Sequence, residues 1–143
     1  MPEAAFHHQA VTAASVPHVW KRLQDPGTWA TVARVDATSD HTHNGSDLTG
    51  FRFTASIAGV AYRGTARVSE SRDGERMSLS IRSNELIGSI DVGLVAGELD
   101  TTLDVTLTMR PAGLLGPILF PVISMAIENG FADSVDRLAT SLG

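Results

Sequence analysis

The chain has 143 residues, of which 43% are hydrophobic, and a formal net charge of −5 at pH 7. This length suits a single core, so we expect residues 1–143 to form one domain, since two cores would each be too small. The absence of cysteine excludes disulfides and thiolate metal sites. The acidic balance, with Lys21 as the single lysine, argues against nucleic acid or anionic membrane as a general partner and leaves room for a local basic patch.

The N-terminal part predicts one strand and two short helices. Phe6 to Ala14 reads as a strand, and Ser15-Val16-Pro17 then offers a helix cap and a proline suited to a first turn. Asp25-Pro26-Gly27 ends this helix and separates it from a second one that carries Trp29.

From Arg34 onward the sequence predicts six strands in consecutive hairpins. The turn residues are Asn44-Gly45, Ala58-Gly59, Arg72-Asp73-Gly74-Glu75, Ser83-Asn84-Glu85 and Gly97-Glu98. Alternation assigns an inner, apolar face to the following residues. They are Phe51, Phe53, Ala55, Ile57, Tyr62, Gly64, Ala66, Val68, Met77, Leu79, Ile81, Ile90, Val92, Leu94, Leu103, Val105, Leu107 and Met109.

The C-terminus predicts one long amphipathic helix. Its apolar stripe consists of Ile123, Ile127, Phe131, Val135, Leu138 and Leu142. Because Pro121 lacks an N–H, we expect the helix to start near Phe120, after a looser turn. The first turns are apolar all round, so we expect another element to cover Val122 and Met125.

Membrane insertion and secretion are not expected. The uncharged stretch from Leu114 to Ile127 is too short for a bilayer and is interpreted as a buried helix start. Met1 to Gln9 has neither the basic nor the apolar region of a signal peptide. We therefore predict a cytoplasmic protein without stable membrane insertion, as a monomer or weak homodimer.

This order of elements resembles the helix-grip fold of the START-like (SRPBCC) superfamily, in its polyketide cyclase/dehydrase-like branch. The resemblance rests on Ala13 to Trp20, on Leu23-Gln24-Asp25-Pro26 with Trp29, and on Pro111 to Gly116 before the closing helix. It implies an α+β fold in which a curved seven-stranded antiparallel sheet wraps around the long helix. In such relatives the space between sheet and helix holds lipids, polyketides or other apolar molecules. Where many relatives carry a second aromatic residue, this chain has Thr31 and Val32.

A cavity is also indicated by small residues in the inner rows, namely Ala55, Gly64 and Ala66, and by Gly130 within the helix. The alternative is that large phenylalanines fill this space. We predict a ligand cavity lined by Trp29, Phe51, Phe53, Ala55, Tyr62, Gly64, Ala66, Leu79, Val92, Leu94, Leu107, Ile123, Ile127 and Phe131.

Tyr62 is the one clear proton-bearing side chain on the inner strand rows and hence the candidate catalytic or hydrogen-bonding group, unless it only satisfies a backbone carbonyl. Ser124 and Ser134 are interpreted as structural serines that bond back along the helix. His7, His8, His41 and His43 are interpreted as exposed residues, so no metal is predicted. The arginines of the outer face, which are Arg52, Arg63, Arg67, Arg76 and Arg82, could gather to meet an anionic partner, but cross-strand charge pairs are the plainer interpretation.

No nucleotide-binding or nucleophile-elbow motif occurs, so no cofactor is predicted. The predicted function is binding of a small hydrophobic molecule between sheet and helix. Two alternatives are a polyketide cyclase or dehydratase using Tyr62, and an interaction protein using the apolar start of the C-terminal helix. Exposure of Leu115, Phe120 and Met125 would favour the last.

Overall fold

The computed structural model describes residues 3–33, 35–57 and 59–143, without the side chains of residues 31–33. Predictions concerning Arg34, Ala58, Thr31 and Val32 therefore lie outside the described residues or side chains. The elements follow the predicted order. They are β1 (Ala4–Thr12), α1 (Val16–Leu23), α2 (Pro26–Ala33), β2 (Val35–Asn44), β3 (Asp47–Ile57), β4 (Val60–Arg72), β5 (Arg76–Ser83), β6 (Leu86–Ala96), β7 (Thr101–Pro111) and α3 (Gly116–Leu142).

The strands form one seven-stranded antiparallel sheet in the order β1-β7-β6-β5-β4-β3-β2. From β2 to β7, strands that follow one another in the sequence are paired, which confirms the predicted series of hairpins. Gly45, Gly59 and Gly74 lie in the tight turns with φ of 66°, 81° and 71°, a region that favours glycine. The predicted α+β helix-grip architecture, with two short helices after the first strand, is confirmed.

Strand β2 forms one edge of the sheet and pairs irregularly with β3. The register shifts between Val35 and Ala37 and twice more between Ser39 and His43, and Asp40 has a φ of 50°. None of its described side chains is buried. This edge is therefore polar and bulged.

The two short helices are held to each other and to the core. The Ser15 hydroxyl accepts a hydrogen bond from the His18 backbone N–H at 3.4 Å, which confirms the predicted cap of α1. The Trp29 indole Nε1 donates to the Leu23 carbonyl at 2.8 Å and so fixes α2 against the end of α1. Both Trp29 and Leu23 are buried.

The long helix begins at Gly116, so the predicted start near Phe120 is wrong by about one turn. Pro117 lies in the first turn, where its missing N–H has no intrahelical partner to lose. The N–H groups of Ile118 and Leu119 both bond the Leu115 carbonyl, at 3.1 and 3.0 Å. Pro121 lies inside the helix, where it interrupts one hydrogen bond without ending the helix.

The predicted faces of sheet and helix are confirmed. Along α3, Ile123, Phe131, Val135, Leu138 and Leu142 are buried and Ile127 is half-buried. On the strands, Leu79 and Val92 are buried, whereas Phe53 and Leu107 are partly buried. The core therefore lies between the inner sheet face and α3.

The start of α3 is not covered by another described element, contrary to expectation. Leu114, Ile118 and Met125 are 95%, 71% and 64% exposed. The short helices pack farther along α3, where Leu23 and Trp29 share a buried cluster with Leu138. They are too short to reach both regions, so the first turns of α3 keep one open face.

By length and composition alone, α3 could cross a membrane. The stretch from Leu114 to Ile127 is too short to do so, but the whole helix, Gly116–Leu142, is not. Its apolar stripe nevertheless packs against the inner face of the sheet.

Candidate functional site

A cavity of about 140 Å³ lies between the inner face of the sheet and the middle of α3. Its wall is almost entirely apolar. An engineered cavity of about 150 Å³ lined by apolar side chains admits benzene. In this conformation the space therefore suits a molecule of about the size of one ring.

Most of the residues predicted for the cavity do line it. They are Trp29, Phe51, Phe53, Ala55, Tyr62, Ala66, Leu79, Leu107, Ile127 and Phe131. Strands β3, β4, β5 and β7 and helices α2 and α3 contribute them. These residues lie on the cavity wall, and their role in binding a ligand stays a prediction.

Gly64, Val92, Leu94 and Ile123 were predicted to line the cavity but are not among its wall residues. A Cβ atom on Gly64 would lie 2.6 Å from Cζ of Phe53, so the Phe53 ring already occupies the space beside this glycine. Val92 and Leu94 belong to the main buried cluster without bordering the cavity. Ile123 packs with Tyr62 and Phe120 in a separate cluster.

The wall also contains residues that the sequence reasoning did not assign to the cavity. They are Val35, Ser56, Ile57, Ile81, Ser83, Leu86, Gly88, Ile90, Val105, Met109, Ala126, Gly130 and Ser134. Several of these belong to the predicted inner rows, which identify a face but not which part of it remains unfilled. Gly130 was a separate indication of the cavity in the sequence, because glycine destabilises a helix and its presence there suggests a packing requirement.

The cavity reaches the surface where its wall residues keep solvent exposure. Ser56 is exposed, and Ile57, Leu86, Ala126 and Val35 are partly exposed. These residues belong to the ends of strands β2, β3 and β6 and to α3. The part of the wall with residual exposure therefore lies at this end of the sheet and on α3.

Tyr62 presents the one hydroxyl on the described wall that makes no hydrogen bond. The Tyr62 side chain is buried. Among the described residues, the buried side-chain oxygens that lack a hydrogen-bond partner are those of Thr28 and Ser124. The Tyr62 oxygen is not one of them and therefore keeps some accessible surface. The alternative that Tyr62 satisfies a backbone carbonyl is therefore wrong. A buried phenol without a partner can donate a hydrogen bond to a ligand.

The serine hydroxyls of the wall are already bonded within the protein. Ser134 donates to the Gly130 carbonyl at 2.9 Å, which confirms its structural role. Ser56 donates to Asp36 Oδ2 at 2.5 Å, and Ser83 accepts from the Leu86 N–H at 3.1 Å. The expected back-bond of Ser124 is not formed, and its sealed hydroxyl has no partner.

Burial raises the pKa of Tyr62 above its ordinary value of 10.0, and the nearby Glu85 carboxylate raises it further. Both effects favour the neutral phenol. Tyr62 is therefore a hydrogen-bond donor at neutral pH rather than a base. The proximity of Glu85 was not foreseen, because this residue lies in the turn after β5.

Four histidines contact a polar side chain or a backbone carbonyl near the protein surface. His8 Nε2 lies 2.9 Å from Asp136 Oδ1, and His43 Nε2 lies 3.1 Å from the Gln24 carbonyl oxygen. His7 contacts Asp104, and His41 contacts Thr38. In the part of the chain that the structure describes, no three His, Asp or Glu side chains are grouped so that they could hold a metal ion.

The fold is similar to that of several solved structures. A START superfamily protein from Mycobacterium smegmatis aligns with a TM-score of 0.71 at 14% identity, over 97% of this chain and 99% of that one. The ZhuI aromatase/cyclase from Streptomyces sp. R1128 aligns with a TM-score of 0.76 at 13% identity, over 96% and 92%. Norcoclaurine synthase from Thalictrum flavum aligns with a TM-score of 0.58 at 12% identity, over 96% and 86%.

No family model matches the sequence, and no curated protein matches it. At these identities the structural likeness shows the fold alone. The chain has the START-like helix-grip fold, in agreement with the resemblance found in its sequence.

Proposed function

We propose that this START-like domain binds a small hydrophobic molecule that carries a hydrogen-bond acceptor, such as a carbonyl oxygen. The apolar wall supplies affinity, and the phenol of Tyr62 fixes orientation. The observation that carries the proposal is the hydroxyl of Tyr62, which has no hydrogen-bond partner within the protein, on an otherwise apolar wall. A ligand acceptor at hydrogen-bond distance would satisfy it.

The size of the cavity narrows the ligand class. About 140 Å³ suits a molecule of one ring, whereas a fused polyketide would have to widen the space between β3 and α3. Native mass spectrometry of the purified protein would identify a bound molecule and its mass. A co-purified apolar molecule with a carbonyl or hydroxyl group is the expected result.

The binding test fills the cavity. Ala66 is 4% exposed and lines the wall, so Ala66→Phe should abolish uptake of a small apolar fluorophore while the protein stays folded. The matched control is Ala96→Phe, at an exposed position at the end of β6. Equal uptake by both variants and the unchanged protein would contradict binding in this cavity.

A cyclase or dehydratase is the second candidate, because Tyr62 has an acidic neighbour and one similar structure is named an aromatase/cyclase. Tyr62→Phe separates the two functions. In a binding protein the loss of one hydrogen bond, about 0.5–1.5 kcal/mol, lowers affinity at most about tenfold. In an enzyme the loss of the acid lowers turnover of a polyketide-like substrate by about 10²–10⁴ while binding hardly changes. We expect the first outcome.

A further inference from the structure

The described wall of the cavity carries no formal charge. None of the residues that line it is an aspartate, glutamate, lysine, arginine or histidine. The phenol of Tyr62 is the one ionisable group on this wall, and it is uncharged at neutral pH. An ion that entered the cavity would lose its water and meet no opposite charge, and burial of an unpaired ion is strongly disfavoured. The wall therefore discriminates against a ligand that carries a charge.

The same wall offers a ligand a single free polar side chain. The hydroxyls of Ser56, Ser83 and Ser134 are already hydrogen-bonded within the protein. The indole N–H of Trp29 donates to a backbone carbonyl of α1. Tyr62 remains, and its hydroxyl can donate to one acceptor. A second polar group on the ligand would be buried without a partner, which lowers affinity. The cavity therefore suits a ligand with one acceptor group.

A carboxylate lies close to this hydroxyl. Glu85 is half-buried in the turn between Ser83 and Leu86, both of which line the cavity. The turn is held in place, because the Ser83 hydroxyl accepts from the N–H groups of Glu85 and Leu86 at 3.3 and 3.1 Å. The Glu85 carbonyl also accepts from the Ala112 N–H at 2.8 Å. The charge of Glu85 acts on the phenol, since it raises the pKa of Tyr62.

No described cation offsets the charge of Glu85, which forms no ion pair with the residues that the structure describes. A second carboxylate, that of Asp36, accepts the hydrogen bond from the wall hydroxyl of Ser56. Glu85 and Asp36 both belong to the end of the sheet where the wall keeps solvent exposure. A ligand that left an anionic group at this end would therefore meet negative charge.

The arginines nearest to the wall in the sequence point away from it. Arg63, Arg82 and Arg110 each follow a wall residue directly. Successive side chains of a strand lie on opposite faces of the sheet, so these three lie on the outer face, and all are exposed. The predicted cross-strand charge pairing holds for Arg52, which lies 3.5 Å from Asp40, but is wrong for the other outer-face arginines.

We propose that the cavity selects an uncharged molecule with one ring and a single carbonyl group, such as a ketone, aldehyde or ester, and that Glu85 excludes the corresponding carboxylates. The inference rests on the proposed function, because it takes Tyr62 as the hydrogen-bond donor. A carboxylate oxygen is intrinsically a stronger acceptor than a ketone oxygen, so a phenol alone would favour the acid. Glu85 reverses this preference, because a ligand carboxylate at the phenol would lie close to a second negative charge.

The test compares acetophenone with benzoate, which has a similar shape and an anionic oxygen in place of the methyl group. NMR titration of the full chain gives both dissociation constants, with the indole N–H of Trp29 as a reporter on the wall. We expect acetophenone to bind at least about a hundredfold more tightly than benzoate at neutral pH. Ethylbenzene, which lacks the acceptor, should bind more weakly than acetophenone by at most about tenfold, and Tyr62→Phe should remove this difference.

The role of Glu85 is tested by changing its charge in two steps. The affinity for benzoate should rise from the unchanged protein to Glu85→Gln and again to Glu85→Lys, by at least about threefold a step, while that for acetophenone changes less than about twofold. The matched controls are Glu75→Gln and Glu75→Lys, which make the same changes in net charge in the exposed β4–β5 turn at the opposite end of the sheet. Both controls should bind the two probes as the unchanged protein does.

Three results would overturn the charge selection and leave binding in the cavity intact. They are benzoate bound as tightly as acetophenone, no gain in benzoate affinity in Glu85→Lys beyond that in Glu75→Lys, and benzylammonium bound more tightly than acetophenone. The last result would make Glu85 the counter-ion of a cationic ligand. Failure of acetophenone, ethylbenzene and benzoate alike to bind would overturn the proposed function, and the charge selection with it.

Discussion

The ring of Phe53 lies over Gly64, its partner across the β3–β4 ladder, and leaves no room for a side chain there. A Cβ atom on Gly64 would come within 2.6 Å of Phe53 Cζ and 2.7 Å of the Arg82 carbonyl oxygen. The second contact is with backbone, which cannot rotate away. The glycine thus makes space for an aromatic ring and not for a ligand.

Gly64→Ala should therefore destabilise the protein by about 1–3 kcal/mol, the usual range for overpacking. Gly93→Ala is the matched control, because its Cβ would meet Asp104 at an ordinary 3.8 Å. That substitution should be neutral or stabilising, since alanine suits a strand better than glycine. Urea unfolding of both variants measures the difference. A Gly64→Ala protein as stable as the Gly93→Ala protein would contradict the packing described.

Tyr62 is the single tyrosine of the chain, so phenolate absorbance reports its ionisation without interference. The midpoint should lie above pH 10.0, because burial and Glu85 both raise the pKa. Glu85→Gln should lower the midpoint without returning it to 10.0, since burial is the larger cause. A midpoint at 10.0 in the unchanged protein would mean that the phenol is solvated.

The same shift predicts how stability depends on pH. Above pH 10.0 the unfolded chain loses the phenol proton before the folded chain does, so the folded state is progressively disfavoured as pH rises through the folded pKa. Below pH 10.0 the contribution is fully present. Tyr62→Phe should flatten this alkaline loss of stability, as measured by urea unfolding across that range.

Trp29 offers a direct optical probe of cavity occupancy. It is 2% exposed and lines the wall, whereas Trp20 is partly buried and lies outside the wall. In a Trp20→Phe protein, a small apolar nitroaromatic quencher should reduce tryptophan emission in a saturable way. In a Trp29→Phe protein, the remaining emission from Trp20 should show no saturable quenching. That variant leaves the Leu23 carbonyl without its indole donor, so its folding is checked by circular dichroism.

Pro121→Ala should stabilise the protein, by up to about 3 kcal/mol, because it restores an N–H donor within α3. Pro117→Ala is the control, since a proline in the first turn lacks only a donor that has no helical partner. Thermal unfolding of the two variants is the measurement. If Pro121→Ala leaves the melting temperature unchanged or lowers it, the proline has a packing role that its exposure does not suggest.

The sequence predicted the faces of the elements better than the contents of the space between them. Alternation along strands depends only on backbone geometry, so the burial of Leu79 and Val92 followed directly. Whether a small residue borders a void depends on its partner across the ladder. Phe53 fills the space at Gly64, whereas Ala66, whose partner on β3 is Phe51, lines the cavity. The proximity of Glu85 to Tyr62 depends on how a turn folds over the end of the sheet. Periodicity carries no information on either relation.

The irregular pairing of β2 limits how copies of this chain can associate. A free sheet edge normally offers a regular row of N–H and C=O groups to an incoming strand. On β2 that row is interrupted by three register shifts and by the left-handed backbone of Asp40. An added strand could not keep its hydrogen bonds in phase along this edge. Continuous sheets running from one molecule to the next, and the fibrils that grow from them, are therefore disfavoured on this side of the domain.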